Sequence, residues 1–556
     1  MKRLVTQWSA LGVVVLALLP APAAFAQSSA QATYDSAQVG LLYAAGATAP
    51  AQSTAVPGPS SAAPGRGVRP IPHGLSAAAS LATASPLATS SPLSTSTSTS
   101  SLLANFNGVS SHDSAVTNFG AEFEPPDQGL CAGNGFVVEM VNSAYTVYKP
   151  GGTVVAGPFN VNGPFDEGLT EFTSDPRCHF DAATHTWFAV ILFINDSGTA
   201  SHLDLAVNAS GDPTTAWTVY RIDTTGLGGK TGPRHPGCPC FGDQPTLGID
   251  GSNVYVTTNE YSILGPEFYG AQIYAIAKTD LTNPGPPSTP AHFVLFDNLS
   301  IGGAVAASVQ PALTTGPAKA EYFLSSLDPN GTGDQRIGVW AMTNVAAVAS
   351  GHKPTLSSVV MPSETYGLPP GAEQKGASSL LDAGDDRMQQ TQFINGEIWG
   401  ALDTTMTIPN DTADRAGAAW FDVTPTLTRR VITGAQPRRQ GYVALTGNYL
   451  LYPAIQATPS GKAAMVLTLS GASRFPSAAY TVLGAGSSAF GPVTVAAKGI
   501  TNYDPSATRW GDYSWAVLDP SGNSVWMATE YIPPKASQTP DGLTNWGTRV
   551  MDLALH

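Results

Sequence analysis

The sequence predicts an all-β chain, a seven-bladed β-propeller preceded by a signal peptide and a disordered Ala/Ser/Thr/Pro linker. Three observations predict it. A phrase made of Gly-Asp, an apolar run, an Asp-led polar turn, an aromatic residue and a closing Glu-Tyr occurs twice. It reads "CFGDQPTLGIDGSNVYVTTNEY" from Cys240 and "RWGDYSWAVLDPSGNSVWMATEY" from Arg509. Fainter copies recur between and before these two, the mark of a repeat architecture. Gly 57 and Pro 45 imply many turns, and no helical stripe of four turns stands out from Asn105 onward.

Taken in chain order, residues 1–26 read as a secretory signal peptide. "MKR" is basic, "LGVVVLALLPAPAA" is apolar, and Ala24-Phe25-Ala26 is a small-residue cleavage site. The apolar run is too short and too broken by proline to span a bilayer, and no later run reaches the roughly 20 residues a membrane helix needs. Residues 27–104 are Ala, Ser, Thr and Pro with hardly any charge. Such a stretch cannot offset its ordering entropy by burial, so it is expected to be a disordered stalk or a propeptide.

Residues 105–556 form the predicted propeller domain. Copies of the phrase begin at Asp127, Asp175, Asp243, Gln310, Asp386, Arg439-Gln440 and Asp512. Each reads as a hairpin, a strand of about five residues, a Gly/Asn/Asp turn and an aromatic-rich second strand. Further strands such as "QIYAIAKTD" and "RIGVWAMTN" lie between them. Four strands per unit around an axis make a propeller, whereas a β-sandwich does not explain a repeat of this length.

Composition narrows the function. The formal net charge is −14, and it becomes −16 once Lys2 and Arg3 leave with the leader. An acidic chain lacks the clustered Lys and Arg that neutralise phosphates, so nucleic acid is excluded as a partner. The nine histidines form no H-x-x-x-H or H-E-x-x-H pattern, and His179, His185 and His235 read as surface or turn residues. A G-x-S-x-G elbow is missing, and "GLGGK" at Gly226–Lys230 is too short for a phosphate loop.

The four cysteines, Cys131, Cys178, Cys238 and Cys240, allow three connectivities in an oxidising compartment. Disulfides are favoured over a metal site, because "CPC" is not C-x-x-C and no second pair at zinc spacing follows. Cys131 and Cys178 lie just after the starts of adjacent inner strands, so they are expected to meet. That leaves Cys238 and Cys240 with each other or with an unseen partner.

The phrases "EPPDQGLCAGNGFVVEMVNSAYTVYKPGG", "DPRCHFDAATHTWFAVILF", "RWGDYSWAVLDPSGNSVWMATEY" and "NWGTRV" resemble a group of secreted bacterial seven-bladed β-propeller proteins. The resemblance covers most of residues 105–556 and implies the fold and export, not a reaction. The turn-aromatic pieces also distantly resemble the Asp-box hairpin of sialidase-like propellers, without the strict Ser-x-Asp-x-Gly-x-Thr-Trp box.

If the copies begin at inner strands, their first residues surround one channel mouth, an expectation taken from the fold alone. Asp243 and Asp512, each after an aromatic-Gly, form the predicted catalytic pair. Asp127, Asp386, Arg387, Arg509, Trp510 and Tyr513 are the predicted ligand-binding residues. Crowded carboxylates raise one another's pKa, which suits acid–base work on a sugar as in a glycoside hydrolase, or a polysaccharide lyase. The same oxygens suit Ca²⁺, the one cofactor considered. The opposing view makes each Asp a turn fastener, repeated because the turn repeats. Glu260 and Glu530 are expected to pair with Arg or Lys between blades. The expected protein is a secreted monomer recognising or processing an extracellular polysaccharide or cell-surface component. The alternative is a non-catalytic adhesion or protein-binding propeller.

Overall fold

The structure is a computed structural model that describes residues 33–48, 100–120, 123–228, 234–283, 289–327, 331, 333–503, 509–534 and 545–556. The leader at 1–26 lies outside the described residues. Short strands dominate because the sequence alternates runs such as "TWFAVILFI", Thr186–Ile194, with tight polar turns. That run is buried on nearly every residue, as in a strand sandwiched between neighbouring sheets.

The strands fall into antiparallel groups of consecutive members. The first group holds Gly129–Gly133, Phe136–Met140, Ala144–Tyr148 and Val154–Asn160; the second holds Phe172–Asp181, Thr186–Ile194, Ser201–Asn208 and Thr218–Asp223. Cys240–Ile249, Asn253–Ser262, Phe268–Ala277 and Ala291–Asp297 form the third. The fourth runs from Gln310–Thr315 to Thr355–Tyr366, the fifth from Met388–Ile394 to Val431–Val443, and the sixth from Tyr449–Ala457 to Thr494–Ala497. In the last group Trp515–Leu518, Ser524–Tyr531 and Gly547–Leu555 are joined by Ser100–Ser110, so the two ends of the domain share one sheet.

The first strands of successive groups lie side by side, and Trp515–Leu518 returns to Gly129–Gly133. The architecture is all-β and propeller-like. Apolar residues from facing sheets fill the space between them; Leu130, Phe188, Val190, Trp515 and Trp526 belong to one such core. Gly129 permits the close approach of the first two groups, since a Cβ there would sit 2.6 Å from the Pro176 carbonyl oxygen.

Two expectations are corrected here. Part of the 27–104 segment is ordered: Ser36–Leu42 pairs with Ala291–Asp297, and Ala44–Ala47 pairs with Thr218–Asp223. These small residues gain backbone hydrogen bonds at an open sheet edge, which needs no hydrophobic periodicity. The Ser100–Ser110 strand also starts before the boundary placed at residue 105. Secondly, Arg439-Gln440 does not open a sheet. It lies in Val431–Val443, the outer strand of the fifth group, and the next first strand is Tyr449–Ala457. The turn around Gly447 joins two groups and does not close a hairpin within one.

Candidate functional site

A device repeated at the starts of the groups positions the site. Asp127, Asp175, Gln244, Ser308 and Tyr452 all adopt positive φ, between 46° and 59°. In that conformation the backbone N–H turns away from the strand ladder and needs another acceptor. A side chain near the end of a neighbouring strand supplies it. Asn142 Oδ1 accepts from the Asp175 amide at 2.7 Å, Asn259 Oδ1 from Ser308 at 2.7 Å, and Asp403 Oδ1 from Tyr452 at 2.8 Å.

Asp127 enters the same scheme as acceptor. Its Oδ1 takes the Asp512 amide at 2.7 Å, and its Oδ2 takes Asn142 Nδ2 at 2.8 Å. This brings Asp127, Asp175 and Asp512 together, with carboxylate oxygens within 4.8 Å of one another. Asp127 and Asp175 are buried, while Asp512 remains 12% exposed and ion-pairs with Arg509, itself 10% exposed. Burial, followed by the charge of Asp512, holds the Asp127 and Asp175 carboxyls above the usual carboxylate range. Two guanidinium groups counter the cluster. Arg509 ion-pairs Asp512, and Arg177, with no exposed surface, lies within electrostatic reach of all three acids.

Arg177 has an uncommon environment. Its guanidinium carbon stands 2.9 Å from the Tyr513 ring centroid and 4.7 Å from that of Trp515. Nε donates to the Pro245 carbonyl at 3.3 Å, while Nη1 and Nη2 are buried with no hydrogen-bond partner among the described residues. Orphaned charged donors of this kind are costly and point to an absent acceptor.

Asp243 does not join Asp512. Its electrostatic neighbours include Arg387 and Tyr261, while Arg387 is clamped by Asp385 through Nε–Oδ1 at 2.7 Å and Nη2–Oδ2 at 2.6 Å. Gln244 Oε1 also accepts from Arg387 Nη1. The aromatic-Gly context shared by Asp243 and Asp512 therefore marks two equivalent strand starts, each with its own arginine. Among the other predicted ligand residues, Asp386 is fully buried with Tyr366 nearby. Trp510 is fully buried, edge-on to Tyr503 at 5.0 Å, and is a core residue. Tyr513 is 1% exposed and serves as the platform for Arg177. Asp175 is one of the copy starts expected around the channel mouth, but neither it nor Arg177 is among the predicted catalytic or ligand-binding residues, although "SDPRC" holds both.

Both cysteine pairings appear as expected. Cys131 and Cys178 are bonded with Cα atoms 5.4 Å apart, and Cys238 and Cys240 with Cα atoms 4.5 Å apart. Four histidine and glutamate readings change. His179 is half-buried with Nδ1 shut away from solvent, and desolvation lowers its pKa to about 4. His235 sits between Glu260 and Asp297; burial opposes its charge, but hydrogen bonds to these carboxylates carry its pKa up to about 10. Glu260 thus pairs with His235, while Glu530 is buried, and burial followed by the charges of Asp127 and Glu124 pushes its carboxyl up. His185 is an exposed turn residue with φ 54°, as expected.

Ca²⁺ does not fit the three-aspartate cluster. It takes six to eight oxygens, and here two guanidinium groups occupy the surroundings that further oxygens would need.

No family model matches the chain, and no curated protein matches it. Similar solved structures include the GH93 α-L-arabinofuranosidase of Fusarium graminearum with arabinobiose. It is 10% identical, over 80% of this chain and 97% of that one, with TM-score 0.33. A protein of unknown function from Dyadobacter fermentans is 11% identical over 82% and 99%, with TM-score 0.30. Drosophila Plexin A in complex with Semaphorin 1b is 10% identical over 83% and 88%, with TM-score 0.33. These similarities are too distant to assign any residue a role.

Proposed function

We propose that the protein is an exported seven-bladed β-propeller that recognises or processes an extracellular carbohydrate at the Asp127–Asp175–Asp512 cluster. Residues 1–26 act as its signal peptide and the ring closes through the sheet that unites Ser100–Ser110 with Gly547–Leu555. The observation that carries the reading is the orphaned Arg177 guanidinium beside three carboxylates of unlike surroundings. A sugar hydroxyl both accepts and donates, so one ring of hydroxyls satisfies the arginine and the acids together. Asp127 and Asp175, held toward their protonated forms, can donate a proton. Asp512, ion-paired with Arg509, keeps 12% of its side chain exposed. If a bond is broken, a glycoside hydrolase or polysaccharide lyase follows from that division of roles.

A second reading, a binding propeller without catalysis, is favoured by the amide hydrogen bonds of Asp127, which make it a fastener. Incubating the secreted protein with a panel of polysaccharides, reading new reducing ends and pull-down together, separates the two. New ends support processing. Capture without new ends supports recognition alone, and neither outcome with any polysaccharide removes the carbohydrate reading.

A further inference from the structure

The stretch His235-Pro-Gly-Cys238-Pro-Cys240 leads into the first strand of the third sheet and contains none of the clustered aspartates. Backbone bonds pin it: the His235 amide donates to the Gly226 carbonyl at 2.8 Å, and the Cys240 amide to Thr225 at 2.8 Å. The His235 ring stacks on Tyr269 with centroids 4.9 Å apart. Its Nδ1 faces Glu260 Oε2 at 2.5 Å, and its Nε2 faces Asp297 Oδ2 at 3.1 Å. Gln272 Nε2 donates to both carboxylates, at 2.6 Å and 3.0 Å, and Tyr274 fixes Gln272 in turn.

Cys238 Sγ belongs to this corner. It, an imidazole nitrogen of His235 and a Glu260 oxygen all lie within 4.8 Å of one another. The space between them is kept open by Gly226, at φ +66°. A Cβ there would come 2.5 Å from Cys238 Sγ and 3.1 Å from Glu260 Oε1. A sulfur, an imidazole nitrogen and a carboxylate, with a second carboxylate on the far imidazole nitrogen, are the inner and outer ligands of many zinc centres. Only the Cys238–Cys240 bridge keeps the sulfur from acting as a thiolate.

We propose that reducing the Cys238–Cys240 bridge turns this corner into a binding site for a borderline divalent cation such as Zn²⁺. Cys238 Sγ, His235 Nδ1 and Glu260 are the ligands, and Asp297 positions the ring. Two electrons and two protons from a thiol reductant, itself oxidised to its disulfide, break the S–S bond and leave two thiols. The cation then displaces two protons to solvent, one from the Cys238 thiol and one from His235 Nδ1, and takes the thiolate and the freed Nδ1 lone pair, while Nε2–H stays on Asp297. A fourth position stays open for the released Cys240 thiolate or water. Selectivity comes from access, because Cys238 is half-buried whereas Cys131 and Cys178 have no exposed surface.

The test uses the full mature chain and Co²⁺ as the probe, before and after mild reduction by a water-soluble phosphine that is then removed. Peptide mass mapping verifies which bridge has opened. The reduced chain is expected to take up a single Co²⁺ with a near-ultraviolet thiolate-to-cobalt band, and the bridged chain to take up none. Cys238→Ser should lose the band, and Asp297→Asn should keep it with affinity weaker by roughly 10- to 100-fold. If Cys238→Ser fails to fold, alkylating the reduced wild-type chain at Cys238 replaces it and should abolish the band. No uptake by the reduced chain, equal uptake by the bridged chain, or a band that survives loss or alkylation of Cys238 overturns the proposal.

Discussion

Asn259 shows what a single polar side chain does here. It is 1% exposed, accepts the Ser308 amide at 2.7 Å and donates to Ser308 Oγ at 2.9 Å. Ser308 is held at φ 46°, where its N–H cannot reach the sheet ladder. Replacing Asn259 by Ala should leave that buried amide unsatisfied and cost about 1–3 kcal/mol of stability. A urea unfolding midpoint unchanged from wild type contradicts the fastener role. Asp243 and Asp512 were legible as candidates because their Gly-Asp phrases repeat. Their division of labour was not, because a repeat marks equivalent positions and cannot say which neighbour each one meets. Asp512 meets Asp127 and Arg509, while Asp243 has Arg387 beside it. Trp510 misled for a related reason. An aromatic next to a Gly-Asp suits a ligand platform and a core equally, and only packing against Tyr503 decides.

At the scale of elements, the hairpins were readable from turn chemistry and from aromatic second strands such as Asn253–Ser262 and Ser524–Tyr531. The strands at Ser36–Leu42 and Ala44–Ala47 were not. Their stability comes from an edge supplied some 170 to 260 residues later, through pairs such as Val39 with Val294 and Gly46 with Val219. Covering an open edge suppresses unwanted strand pairing between molecules. Removing residues 27–48 should therefore bare the outer edges of the second and third sheets. The shortened protein is expected to self-associate at concentrations where the full mature chain is monodisperse by light scattering. Identical scattering from both proteins contradicts this account of the two strands.

For the whole molecule, the joining of Ser100–Ser110 to Gly547–Leu555 and the chain of neighbouring first strands gather acids from distant sequence positions. Asp127 and Asp512 stand 385 positions apart and share a hydrogen bond. Most hairpins and the meeting of Cys131 with Cys178 could be inferred from local patterns. The convergence on Arg177 could not, since no local pattern distinguishes an arginine that supports a turn from one left without acceptors. The central claim is that this gathering makes a functional centre, not merely a fastening. The most direct test substitutes Asn at Asp512, with Asp243→Asn as the comparison, and measures melting temperature and carbohydrate capture on the same samples. Asn keeps the shape and most hydrogen bonds while removing the charge. The account predicts that Asp512→Asn melts within a few degrees of wild type and loses capture or turnover, while Asp243→Asn retains it. A large fall in melting temperature with capture intact in Asp512→Asn would contradict it.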